Sequence, residues 1–462
     1  MKTDCTHNAK QIGTKRLSRV FSGNSLRAQL LRGSVGSLVL KAANAGLTFA
    51  MAVVLARALG PEHYGIYAFA LAVLMLVAIP AQVGIPQLTV RETAKAHAKG
   101  NWGLMRGLWL WGNLAILATS VFGVLVVCGV LLFLGVEPGG QRAIAIAVGI
   151  PLIPLIALGN ARAACLRGLH KIIWGQLPEA ILRPLFILML LGAWVALPGG
   201  KANASVEDVM GFNVAASAIT FMLGAYMLWR VRPEGIKCRP KRSYEAIAWR
   251  RAIVPLAAIT GLELINNYAD LIVLGWFRSD SEVGIYRAVS QLALLVVFGL
   301  QAINQVLHPH FARLHTEGDI HKLQKLVTLS SRAILAMAFF PFLVFLFFGK
   351  EILTMVFGTE YAAGSIALII LAFGHLANAG FGSVGALLNM TGHERDTMKG
   401  MFVAMGANVV LNLLFVPFYG MNGASAATAI SFILWNAVLR HYVRKRLSIE
   451  SIALGKRKAA TL

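Results

Sequence analysis

Apolar runs of about 20 residues, the length at which an α-helix crosses the hydrocarbon core of a bilayer, follow one another along the chain. Short polar or turn-rich breaks separate them. Cutting at the breaks predicts twelve spans: 34–57, 65–89, 108–134, 142–161, 178–197, 209–229, 252–276, 283–306, 328–349, 362–388, 399–418 and 422–442. Pro151 and Pro154 predict a kink in the fourth. The longest polar interruption, near 230–251, divides the chain after six spans. The expected fold is all-α, a polytopic membrane protein with twelve transmembrane helices in two six-helix pseudo-symmetric lobes around a central cavity. The expected organisation is a basic tail (1–33), an N-terminal lobe (34–230), a basic linker (231–250), a C-terminal lobe (251–443) and a second basic tail (444–462). A short repeat agrees with two halves: Gly65-Ile66-Tyr67 opens the second span and Gly284-Ile285-Tyr286 the eighth. Parallel repeats of this kind place a substrate site at the interface of the halves.

Composition removes the soluble alternatives. The 462 residues are 57% hydrophobic and 14% charged, with a mean hydropathy of +0.68. A net charge of +23 would suggest nucleic acid in a soluble protein, but here it follows the loops. With both termini placed in the cytoplasm, the inner loops and adjoining helix ends carry 36 of the 43 lysines and arginines. The outer loops carry five, and only Lys41 and Arg287 lie deep within spans. Nucleic acid is therefore not an expected partner, whereas membrane lipids are. Cys5, Cys128, Cys165 and Cys238 form no CxxC pair, so neither a metal site nor a disulfide framework is expected. The first 33 residues lack the apolar core of a signal peptide. Leu17, Val20, Phe21, Asn24, Ala28 and Leu31 fall at helical spacing there, which allows either an amphipathic helix on anionic headgroups or a disordered tail. There is no Walker motif, so ATP is not an expected energy source.

The first span and its exit read LTFAMAVVLARALGPEHYGIYAFA, and GIPQLTVRETAK closes the second. Through Ala56 to Gly60, Gly65-Ile66-Tyr67, Gly84, Pro86 and Arg91-Glu92 the chain resembles the polysaccharide-exporter branch of the multidrug, oligosaccharidyl-lipid and polysaccharide superfamily, which includes O-antigen and exopolysaccharide repeat-unit flippases. The resemblance covers nearly the whole chain. It implies a multi-pass protein of the cytoplasmic (inner) membrane that alternates between inward-open and outward-open states. Its cargo would be an undecaprenyl-diphosphate-linked oligosaccharide moved outward for polysaccharide biosynthesis, with a polysaccharide polymerase and chain-length machinery as further partners.

Within the seventh span Glu263, Asn266, Asn267 and Asp270 recur at helical spacing. A carboxylate near the bilayer centre costs roughly 2.5–3.5 kcal/mol on insertion scales. Lys41, Asn44 and Thr48 give the first span a comparable polar face, and the two helices correspond in the two halves. Lys41 either enters a cavity or snorkels to the inner headgroups. Asp270 and Arg287 sit at matching depth, so they are expected either to pair structurally or to separate when Arg287 meets a diphosphate or acidic sugar. Glu263, with no evident neighbour, is the expected H+ or Na+ coupling site, joined in that role by Asp270. Asn266, Asn267 and Tyr268 offer oxygens or donors to a cation or sugar, or simply bind helix to helix. Arg162 and Arg183 stand out of a basic group with Arg167, His170 and Lys171, either receiving diphosphate from the inner leaflet or anchoring the helix ends. Glu179 is expected to pair with Arg183 one turn on. Gln291, Gln301, Asn304 and Gln305 suggest a hydrophilic wall on the eighth span, while His375, Asn378, Asn408 and Asn412 read more as interhelical glue.

Three function classes compete. A glycosyl polymerase would need a catalytic constellation on a large outer loop, and the outer loops are short. No catalytic residues are assigned, and the protein is not expected to be an enzyme. A cation-coupled multidrug antiporter would favour carboxylates and aromatics in its cavity. A flippase for a diphosphate-linked glycan would add cations and amides. Lys41 and Arg287 beside Glu263 and Asp270 favour the flippase.

Overall fold

The computed structural model describes residues 26–133, 139–196, 205–238 and 240–453. Residues 1–25 of the first tail and 454–462 of the second lie outside this set. The regular elements among the described residues are all helical. In chain order they are α1 Leu26–Val77, α2 Ile79–Gln82, α3 Ile85–Ala98, α4 Trp102–Phe133, α5 Gln141–Gly149, α6 Leu152–Gly168, α7 Ile172–Leu177, α8 Arg183–Ala196, α9 Val206–Val231 and α10 Glu234–Lys237. The second half holds α11 Ala246–Phe277, α12 Asp280–Thr316, α13 Ile320–Val356, α14 Ser365–Phe381, α15 Val384–Met390 and α16 Glu394–Leu447. The predicted kink of the fourth span is the break between α5 and α6 around Ile150 and Pro151. α1 is already helical from Leu26, inside the expected basic tail.

Nine helices among the described residues are long and apolar enough to cross a membrane. Two of them fold back on themselves. α1 turns over at Gly60 (φ 70°, ψ 172°) ahead of Pro61, and α16 at Gly420 (φ 53°, ψ −134°). Glycine alone adopts such angles without strain, and proline then suits the first turn of the new helix. Val121, Phe122 and Leu125 of α4, Phe340 and Phe347 of α13 and Phe418 of α16 are all more than 60% exposed. In water they would be a liability; in lipid they are the solvent-facing side. The chain is a multi-pass membrane protein.

The Gly-Ile-Tyr repeats are where the two halves meet. A Cβ added to Gly65 would lie 1.8 Å from the Asp280 carbonyl oxygen, and one on Gly284 1.9 Å from that of Pro61. Backbone touches backbone there, and only glycine allows that approach. Tyr64, Tyr67, Ile285 and Tyr286 are buried around the crossing in an apolar core that runs through both halves. Polar clasps surround it. Arg142 pairs with Asp280 at 2.8 Å and donates to the Gly275 carbonyl at 2.9 Å, with its guanidinium 4.9 Å above Phe69. Tyr361 donates to the Ala56 carbonyl at 2.9 Å, and Arg57 to the carbonyls of Val356 (2.7 Å) and Met355. This end of the bundle is closed.

At the opposite end, where lysine and arginine gather, α11 bridges the halves. Its buried Trp249 packs on Leu88 and Leu108, with its ring 5.3 Å from that of Trp111. The interlobe linker is held to α4, since Arg106 donates to the Pro240 carbonyl at 3.0 Å and the Ser243 amide to that of Gly103 at 3.2 Å. Gly103 and Gly107 leave room for it: side chains there would meet the carbonyls of Lys241 and Ser243 within 2.5 Å.

Candidate transport cavity

A cavity of about 820 Å³ lies on the basic-end side of the Gly65–Gly284 crossing, between the first half of α1 and the C-terminal helices. α1 contributes Lys41, Ala42 and Ala45, and α11 contributes Glu263. On α12 the lining positions Gln301, Asn304, Gln305 and His308 step by three, one and three, which is one helix face. α14 ends at Gly382 with a φ of 74°, and the chain beyond it supplies Ser383 and Asn389 before α16 adds Glu394, Thr397, Trp435 and Asn436. The wall is therefore amide-rich, with one lysine, one histidine and two carboxylates.

Several of these groups lack internal partners. Asn304 Oδ1, Ser383 Oγ, Thr397 Oγ1 and Trp435 Nε1 are buried without a hydrogen bond. Each such group costs about 1–3 kcal/mol relative to a satisfied one, so this polar wall is held at an expense to stability. Asn436 and Asn378 do bond to each other at 2.8 Å.

Glu263 also opens into a smaller side pocket of about 100 Å³ with Asn266, Asn267, Ser431, Phe432 and Trp435. The Asn266 Oδ1 is buried and unpartnered. Among the described residues no three His, Cys, Asp or Glu side chains converge. A cation here would rely on one carboxylate and on amide and hydroxyl oxygens.

The structure brings Lys41, Glu263, Asn266, Asn267, Gln301, Asn304, Gln305 and Asn378 to this cavity system, and leaves Asn44, Thr48, Arg162, Arg183, Asp270, Arg287 and Gln291 outside its lining. Asn44 and Thr48 contact each other at 3.5 Å. Gln291 is half-buried nearer the closed end. Asp270 is buried and accepts from the Tyr286 hydroxyl and, at 2.8 Å, from the Leu271 amide. The expected Asp270–Arg287 pair is not formed among the ion pairs of the described residues. Tyr286 and Arg287 leave the helix roughly 100° apart; the tyrosine is the one aimed at α11, and Arg287 interacts with Tyr64.

Arg183 donates to Asn213 Oδ1 at 3.1 Å, and Asn213 donates to the Tyr67 hydroxyl at 2.8 Å. Each repeat tyrosine thus holds a polar group of its own half, Asn213 for Tyr67 and Asp270 for Tyr286. Glu179 does not pair with Arg183 within ion-pair distance. The reason is a π-turn at Pro178–Leu182, which breaks the four-residue register and turns the Glu179 carboxylate against Gly159. Arg162 stacks 3.3 Å above the Phe221 ring centroid and lines, with Glu179, a separate minor pocket. Sequence reasoning missed His308, Asn389, Glu394, Thr397, Trp435 and Asn436. The i, i+7 step from Gln301 marks His308; the others come from separate elements and carry no shared spacing.

Comparison with known proteins agrees with this architecture. The family model described as "Polysaccharide biosynthesis protein" matches residues 30–315. The "probable low-salt glycan biosynthesis flippase Agl15" of Haloferax volcanii is 24% identical over 429 residues, covering 91% of this chain and 85% of that protein. A multidrug resistance transporter of the MATE family, in an inward-facing conformation, superposes with a TM-score of 0.71 at 15% identity, covering 94% of this chain and 97% of that one. The lipid II flippase MurJ in an inward closed conformation gives 0.69 at 15% identity, with 90% and 87% covered. The last two are likenesses of fold. With its apolar helices, its paired halves and a family match over more than half its length, the chain belongs to the polysaccharide biosynthesis protein family.

Proposed function

We propose that the protein is a flippase carrying undecaprenyl-diphosphate-linked oligosaccharide repeat units from the cytoplasmic to the outer leaflet of the inner membrane, by ion-coupled alternating access. The observation that carries this reading is the cavity, closed behind the Gly65–Gly284 crossing and lined at the basic end by Lys41 and a wall of amides. Amides and an indole suit sugar hydroxyls and faces, and an ammonium suits a diphosphate. The polyprenyl tail stays in lipid throughout, and the headgroup crosses with no bond made or broken.

On this reading the basic end is cytoplasmic and holds both termini. Dividing α1 at Gly60 and α16 at Gly420, and counting α11 despite its two acids, raises nine spans to twelve in two six-helix lobes. Glu263 takes the coupling ion, H+ or Na+, and a polysaccharide polymerase with its chain-length machinery receives the product. The carboxylates Glu263 and Glu394 in the same wall support a second reading, a cation-coupled small-molecule antiporter. Deleting the gene and analysing lipid-linked intermediates separates the two. Accumulation on the cytoplasmic face supports the flippase; normal glycans with altered drug sensitivity overturn it in favour of the antiporter.

A further inference from the structure

Beyond α16 the chain turns back on itself. Ser448 adopts a left-handed conformation (φ 56°), and the next residues are buried as deeply as the core, with Ile449 at 1%, Ser451 at 0% and Ala453 at 2% exposure. Three sets of contacts fix this segment. The Glu450 backbone exchanges two 2.8 Å hydrogen bonds with the Gln324 amide, which donates to its carbonyl and accepts from its N–H. Arg332 donates to the Ala453 carbonyl at 3.1 Å. The Glu450 carboxylate accepts from two nitrogens of Arg440 at 2.8 and 3.0 Å, with Arg444 at 3.7 Å.

The segment reaches the break between α14 and α15. Gly380 lies in the last turn of α14, where the helix leaves carbonyls without an amide four residues on, and the Ala453 N–H takes the Gly380 carbonyl at 3.1 Å. The Ser451 carbonyl lies 3.0 Å from where a Gly382 side chain would begin. Ile449 enters the apolar cluster that also holds Val384, Leu387 and Leu388 of α15. On the other side of this break Ser383, Val384, Asn389 and Met390 form cavity wall.

We propose that residues 448–453 are a strap that fastens the Gly382 hinge and thereby sets how freely α15, one wall of the cavity, moves. Strap and wall share one hinge, so releasing the first loosens the second.

Amide hydrogen exchange on the purified full-length protein tests it. Glu450→Gln keeps the side-chain volume but removes the charge from the Arg440 fork, and is expected to speed exchange across 383–391 about tenfold. Exchange in α4 and α9, remote from the strap, is expected to stay at wild-type rates. Truncation after Leu447 is expected to produce a larger effect at the same place. The proposal is overturned if 448–453 is freed in Glu450→Gln while 383–391 exchanges as before, or if exchange rises alike in every helix.

Discussion

Lys41 is the cation that α1 brings to the cavity, and under the proposed function its removal leaves an anionic headgroup to be held by neutral amides. Charge-assisted hydrogen bonds contribute about 1.5–3 kcal/mol, so Lys41→Ala is expected to slow transport roughly tenfold or more, and Lys41→Arg to retain most of it. The build-up of lipid-linked intermediates in cells measures both; equal transport in all three proteins would remove Lys41 from the site. Glu263 carries a different expectation. Glu263→Gln should leave cavity shape intact and abolish dependence on an ion gradient in vesicles, and unchanged gradient dependence would exclude it as the coupling group. Both residues were legible because an ionisable side chain in an apolar run is conspicuous. Arg287 was equally conspicuous, but its partner was not. Whether Asp270 meets residue 286 or 287 depends on helix rotation, which spacing along two separate spans does not determine.

At the scale of elements, the α1–α12 crossing leaves no room for a methyl group. Gly65→Ala or Gly284→Ala is expected to destabilise the protein by about 1–3 kcal/mol through overpacking. Gly46→Ala, on the same α1 with nothing within 4 Å of the new carbon, is expected to be neutral or stabilising by up to about 1 kcal/mol. Thermal unfolding in detergent ranks the three, and equal loss at all three sites would mean that helix propensity rather than the crossing decides. The strap has a pH signature. The hydrogen bonds and charge of Arg440 hold the Glu450 carboxyl below the usual glutamate range. Its contribution is then complete above the unfolded value of about 4.3 and is lost only as pH falls through the lower folded value. Protection of 448–453 is expected to be flat from neutral pH to about pH 5 and to fall below about pH 4, with Glu450→Gln showing no such step. Long apolar helices and the α5–α6 break were readable in advance. The π-turn at Pro178–Leu182 was not, since it shifts register without changing composition, and with it went the Glu179–Arg183 pair.

Across the whole molecule the two ends are held by different means. Polar clasps and bare backbone close one end, while tryptophans and a bound linker join the halves at the other. Asp280 is central to the closed end through Arg142. Asp280→Asn is expected to raise, several-fold, the labelling by a membrane-impermeant thiol reagent of a cysteine placed at Gln291 in an otherwise cysteine-free protein; unchanged labelling would mean that the glycine crossing alone holds the seal. The repeat that suggested two halves also proved to be their contact, a role no one-dimensional pattern reveals. That contact bears on the cell's energy supply. A plug made of side chains can open a water thread whenever one rotamer flips, but main-chain atoms of two glycines have no rotamer to change. Such a seal parts only when entire helices move, so a transporter with a roomy, amide-lined chamber can rest in the membrane without short-circuiting the proton and sodium gradients around it.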